Sequence, residues 1–229
     1  MRIRIKFSKT GSLKYIGHLD VMRFFQKAIR RAGFDVVYSE GFSPHMLMSF
    51  AQPLGVGVTS GGEYFDLDIK SADISVRMKE MLNAQMPEEI RVLEIVKIPE
   101  DKANKCMTLV AAADYEISFD GIDNERFEKD FKDFMSQDEI NIVKKTKKNE
   151  VLTDIKPMIY YFGFDKGRLE LRLSSGSVNN LKPQLVISAF GGFAGIDTES
   201  LKVRIHRKEL YAKTEDGFVP LYRMGEEII

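Results

Sequence analysis

Ile3, Ile5 and Phe7 alternate with Arg2, Arg4 and Lys6. That period of two predicts a half-buried strand over residues 2–7. From Asp20 the period lengthens. Val21, Phe24, Phe25, Ala28 and Ile29 recur at helical spacing, with Arg23, Lys27, Arg30 and Arg31 on the other side. Gly33 marks the end of this helix. A short apolar strand is expected at FDVVYS (34–39), and a nearly charge-free stretch with Gly and Pro punctuation at 41–58. EYFDLDIK (63–70) alternates again. Ser71 or Asp73 is expected to open a helix through Met78 and Leu82 that stops before Pro87, and RVLEIVKI (91–98) reads as a strand.

The second half has the same order of elements. DYEISFD (114–120) is a strand, and residues 124–137 form a helix with Phe127, Phe131 and Phe134 inward. INIVKKTK follows as a strand. Its lysines, Lys144 to Lys148, read as a guard on a sheet edge. IYYFGFDKGRLELRLSS (159–175) is a hairpin turning near Asp165-Lys166-Gly167. KPQLVISAF (182–190) is a helix with Pro183 near its start, and LKVRIHRKELYA (201–212) is the closing strand. Strand, helix, strand, strand, helix, strand, repeated in the second half with INIVKKTK as one strand more, predicts an α+β chain of two tandem ferredoxin-like (βαββαβ) halves. Their boundaries are 1–100 and 106–229, with antiparallel sheets covered by helices on one face and a charged linker near 99–105.

Composition narrows the function classes. The chain has 229 residues, 34 Lys and Arg against 34 Asp and Glu, and one cysteine, Cys106. The balance gives no global field for nucleic acid or membrane. Within the first fifty residues, however, nine basic side chains face Asp20, Asp35 and Glu40, a local excess of six. A single thiol excludes an intrachain disulfide and a multi-cysteine zinc site. It also excludes this chain as sole holder of an iron–sulfur cluster. No apolar run approaches the length of a signal core or a membrane span, so a cytoplasmic location is expected.

Two of the three histidines, His18 and His45, flank one stretch with Asp20, Glu40 and Ser43. These five form a candidate ligand site. Asp20 is placed to cap the first helix, and His18 stands just before it, where the positive end of the dipole favours neutral imidazole. The competing reading is a cap and a stitched loop with no ligand. A second candidate is a phosphate or RNA contact drawing on Arg23, on Gly191 and Gly192 in the Phe190 to Gly195 run after the last helix, and on His206 and Arg207. No metal set, cofactor fingerprint or catalytic triad is present in the pattern.

The stretch from Arg4 to Ile69, densest at Gly17-His18-Leu19-Asp20 and at Tyr38 to Pro44, resembles a radical-SAM-linked family of unknown function. LKPQLVISAFGG and VRIHRKELY fit it as well. Members of that family occur alone or as the C-terminal region of B12-binding radical SAM proteins. The resemblance implies a stand-alone, non-catalytic accessory or substrate-binding protein whose partner is a separate B12-dependent radical SAM enzyme. A looser, architectural resemblance is to the tandem ferredoxin-like RNA-processing proteins of CRISPR systems. It implies the alternative, a metal-independent RNA-processing or RNA-binding protein.

Overall fold

The computed structural model describes residues 1–145, 150–198 and 200–229. Strand β1 (Arg2–Lys9) buries Ile3, Ile5 and Phe7, as its alternation requires. Helix α1 (His18–Arg31) lays Val21, Phe25, Ala28 and Ile29 on them. Residues 34–39 do not form the expected strand. They make only isolated bridges, Val36 with Ile69 and Tyr38 with Met46. The paired strand is β2 (Met48–Phe50), inside the stretch expected to be irregular. Apolar content alone predicted a strand at 34–39, but Met48–Phe50 is the segment that lies along β3 (Thr59–Asp68) and takes its ladder. Helix α2 (Ser75–Asn83) begins later than expected. Asp73 precedes it and accepts the Ile74 N–H at 2.8 Å. Strand β4 (Ile90–Ile98) completes this half.

A one-turn helix, α3 (Cys106–Leu109), leads into β5 (Val110–Phe119). Helix α4 (Asn124–Met135) is capped by Asp123 and buries Phe127, Phe131 and Phe134. Then comes a separate hairpin, β6 (Asn141–Lys145) with β7 (Glu150–Asp154). Thr146, Lys147 and Lys148 of the lysine run lie outside the described residues. Strands β8 (Ile159–Asp165) and β9 (Arg168–Ser174) turn at Lys166 and Gly167, with φ of 50° and 75°. Two positive φ values give the primed turn that suits a two-residue hairpin. Helix α5 (Pro183–Ala194) starts on its proline. Strand β10 (Val203–Thr214) is followed by β11 (Gly217–Pro220), so β10 is not the closing strand.

The main sheet runs β4-β1-β3-β10-β5-β9-β8, with β2 beside β3 and β11 beside β10. Its pairs are antiparallel except β3 with β10, which run parallel, Thr59 opposite His206 and Ser60 opposite Arg207. The expected two sheets are therefore one nine-stranded sheet. The physical reason is an open edge: β2 pairs β3 only at Phe65 to Leu67, which leaves Thr59 and Ser60 free to pair with β10. Gly62 permits the approach, because a Cβ there would meet the Lys208 carbonyl oxygen at 2.8 Å. The protein is α+β, built on one large and mostly antiparallel sheet. Two apolar clusters sit on it. Phe25, Phe65 and Leu82 belong to one, and Phe131, Leu171 and Phe190 to the other.

The segment expected to be a bare linker is part of the packing. Arg4, fully buried, pairs with Asp66 at 2.8 Å and donates to the carbonyl oxygens of Asn104 and Leu221. Asp66 also accepts the Cys106 N–H at 2.6 Å. Nearby, Glu209 joins Lys6 and the Tyr64 hydroxyl, each at 2.6 Å.

Candidate functional site

Three charged side chains occupy inward positions where the strands from the two halves meet. Lys9 continues the Ile3-Ile5-Phe7 register of β1 and is 2% exposed. Glu63 shares a face with Phe65 and Leu67 on β3, and Arg207 shares one with Ile205 on β10. Arg207 binds Glu63 through Nε and Nη2, the Nε contact at 2.7 Å, and Nη2 also donates to the Gln52 carbonyl at 2.8 Å. Both partners are buried. Burial pushes the Tyr115 phenol, beside Arg207, above its ordinary range.

Above this seam lie two spaces that share one wall, Gln52-Pro53-Leu54. The outer one is a cleft of about 500 Å³ between that wall, Tyr115, Arg207 and the start of α5 at Lys182 to Leu185. The inner one is a cavity of about 20 Å³ beside Lys9, Glu63, His18, Phe7 and Phe50. That volume holds one water or little more. His18, the first residue of α1, stands edge-on to Phe50 with ring centroids 4.9 Å apart. Burial lowers its pKa, so neutral imidazole prevails at neutral pH.

The five residues expected to share a pocket are divided. His18 lines the inner cavity, whereas His45 lines a different hollow of about 290 Å³ with Arg2, Asp68 and Lys105. His45 is exposed, its Nδ1 2.8 Å from the Ser39 hydroxyl. Glu40 and Ser43 are exposed on the same loop. Asp20 does not cap α1. The helix starts two residues earlier with Gly17 at the cap, and Asp20 sits in its first turn, 3.5 Å from Arg23 on the exposed face. The expected glycine loop is also absent. Gly191 and Gly192 lie inside α5, whose apolar run continues to Ala194, and Gly195 ends it with φ of 65°. Gly191 is packed, since a Cβ there would meet the Ile196 carbonyl oxygen at 2.7 Å. His206 and Arg207 point to opposite faces of β10. His206 meets the Thr59 hydroxyl at 2.8 Å, and Arg207 is spent on Glu63 rather than offered to a phosphate. Among the described residues there is no group of three His, Cys, Asp or Glu side chains that could hold a metal, and no helix is long and apolar enough to cross a membrane.

Residues 2–183 match the family DUF2344, an uncharacterized protein conserved in bacteria. The chain belongs to this family. No curated protein matches it. Among solved structures it is similar to a Cbf5-Nop10-Gar1 complex, at 12% identity and a TM-score of 0.48, over 93% of this chain and 50% of that one. It is also similar to an archaeal box H/ACA sRNP Nop10-Cbf5 complex, at 10% identity and a TM-score of 0.41, over 90% and 46%. The chain spans about half the length of these two. The DUF2344 match takes in Lys9, His18, Glu63 and Tyr115 and stops at the first residue of α5, so Arg207 lies beyond it. Lys9, Glu63, Gln52 and Tyr115 were not singled out from sequence. A signal for the first two existed: each is a charge in register with buried apolar residues on an alternating strand, which marks a buried polar position.

Proposed function

We propose that this DUF2344 chain is a non-catalytic accessory that holds a substrate for a separate B12-dependent radical SAM enzyme, and that it does so in the seam cleft. The observation that carries the reading is the cleft itself, about 500 Å³, walled by both halves and lined by Arg207, which is held by its buried pair with Glu63. Its size falls in the range of small-molecule sites, roughly 300–1,000 Å³. The strand orders β4-β1-β3-β2 and β10-β5-β9-β8 support reading the halves as ferredoxin-like units that meet at this seam.

The partner follows from the family resemblance carried by Gly17 to Asp20 and Tyr38 to Pro44. Residues 40–44 of that signature are exposed, Phe42 fully so, which suits a surface that meets another protein. The catalytic cluster belongs to the other chain in this reading. Cys106 is buried, and burial pushes its thiol up, away from the thiolate that iron requires. Co-purification and reconstitution test the proposal. Adding this chain to a B12-dependent radical SAM enzyme of the same organism should change that enzyme's rate or substrate range, and Lys182→Glu at the cleft mouth should weaken that effect without lowering the melting temperature. An enzyme that neither binds the chain nor responds to it contradicts the reading.

A further inference from the structure

The start of α5 opens into the seam cleft with its backbone donors unanswered. Lys182 precedes the helix, no side chain caps it, and no acidic residue stands in its first turn. Pro183, the first helical residue, has no N–H to offer. The Leu185 N–H reaches the Lys182 carbonyl oxygen at 3.0 Å. The Gln184 N–H is left as a donor with no partner among the described residues. Arg207 supplies a second donor, independent of the helix. It is 2% exposed and lines the same cleft. Its Nε and Nη2 serve Glu63 and Gln52, and Nη1 has no carboxylate or carbonyl partner among the described residues. No acidic side chain is among the described residues lining the cleft. Lys182, exposed at its mouth, forms no ion pair among them.

We propose that the ligand of the seam cleft is a monocarboxylic acid with an apolar body, its carboxylate received at the start of α5 by the Gln184 N–H, Lys182 and Arg207 Nη1. The proposal deepens the substrate-holding reading and rests on it. The positive end of the helix dipole and a free N–H favour an anion at this point. Charge then selects its kind. The Arg207 charge is answered by Glu63, which leaves the Lys182 ammonium and about half a charge from the helix start. A carboxylate brings a single negative charge, which this balances. A phosphate monoester brings about 1.5 to 2 at neutral pH, more than the site offsets. The donors also match a carboxylate, which has roughly four acceptor positions. The rest of the lining is largely apolar, with Leu54, Val58, Leu185 and Tyr115, and it suits a hydrocarbon body. The cleft, at about 500 Å³, has room for head and body together, so the inner cavity takes no part.

Titration of the whole chain at neutral pH, followed by backbone amide NMR, tests this with hexanoate, hexanamide, hexyl phosphate and acetate as probes. Hexanoate should bind about tenfold or more tighter than the neutral hexanamide, as charge-assisted contacts require. It should shift the amides of residues 52–58 and 182–185, the cleft walls. Acetate lacks the apolar body and should bind about tenfold or more weaker than hexanoate, and hexyl phosphate should not exceed hexanoate. Gln184→Glu separates site from structure. An acid in the first turn favours the helix, so the melting temperature should hold or rise, whereas hexanoate affinity should fall about tenfold. Lys182→Met should weaken hexanoate and leave hexanamide unchanged. No hexanoate binding, equal affinity for hexanamide, tighter hexyl phosphate, or unchanged affinity in both variants would each overturn the proposal. Any of these results with the effect on a B12-dependent radical SAM enzyme intact sinks the ligand class and keeps the accessory role. Selective hexanoate binding with no effect on the enzyme does the reverse.

Discussion

Glu63→Ala leaves the Arg207 guanidinium in place, buried, with its carboxylate gone. Breaking a buried pair this way costs about 3–5 kcal/mol, measurable by urea unfolding. Lys9→Met makes the opposite change, since it removes a buried charge that has no ion-pair partner to lose. It should leave stability unchanged or raised. The sign of its pH dependence follows. Lys9 has a lowered pKa in the fold, so the unfolded chain binds more protons between that value and the ordinary lysine pKa. Native stability therefore rises with pH through that window, and the variant lacks this part of the slope. His18 and His206 are also held low by burial. Their contribution is complete above about pH 6.5 and is lost as pH falls below it. Their imidazole resonances should titrate with midpoints under 6.5, and a midpoint above it would contradict the burial argument. At this scale the chemistry was partly legible. His18 stood out by type and does line a cavity. Arg207 also stood out, but its partner Glu63 lies 144 residues away and only the fold unites them.

Elements were legible where period and turn chemistry agreed. The β8–β9 hairpin shows this, with Lys166-Gly167 at its turn, as does α4, with three phenylalanines at helical spacing behind an Asp cap. They were illegible where a segment is short or where its partner decides. Strand β11 has four residues and β2 three, too few to show a period. The Phe190 to Gly195 run misled because glycines usually punctuate a chain, yet here the helix passes through two of them. That yields a paired prediction. Gly191→Ala drives a Cβ to within 2.6 Å of Thr198 Cγ2 and 2.7 Å of the Ile196 oxygen. It should destabilise by about 1–3 kcal/mol, the usual cost of overpacking. Gly192→Ala meets nothing within 4 Å and should stabilise by up to about 1 kcal/mol through helix propensity. Thermal unfolding of the two variants in opposite directions would confirm α5 as drawn, and equal losses would refute it.

In the whole molecule, the parallel contact of β3 with β10 joins β4-β1-β3 and β10-β5-β9-β8 into a single sheet. Sequence reading found β1, α1, α4 and the β8–β9 hairpin because their patterns are local. It missed the fusion because Ser60 and Arg207, whose contact closes it, are 147 residues apart. The fusion creates the seam, and the seam brings Lys9, Glu63 and Arg207 beneath a cleft that neither half would have alone. The most direct test is hydrogen exchange on the intact chain, alone and with the proposed partner, a B12-dependent radical SAM enzyme, and that enzyme's substrate. The account predicts protection gained at residues 52–58 and 180–185, the two walls of the cleft. Protection confined to other surfaces, or none at all, would contradict it.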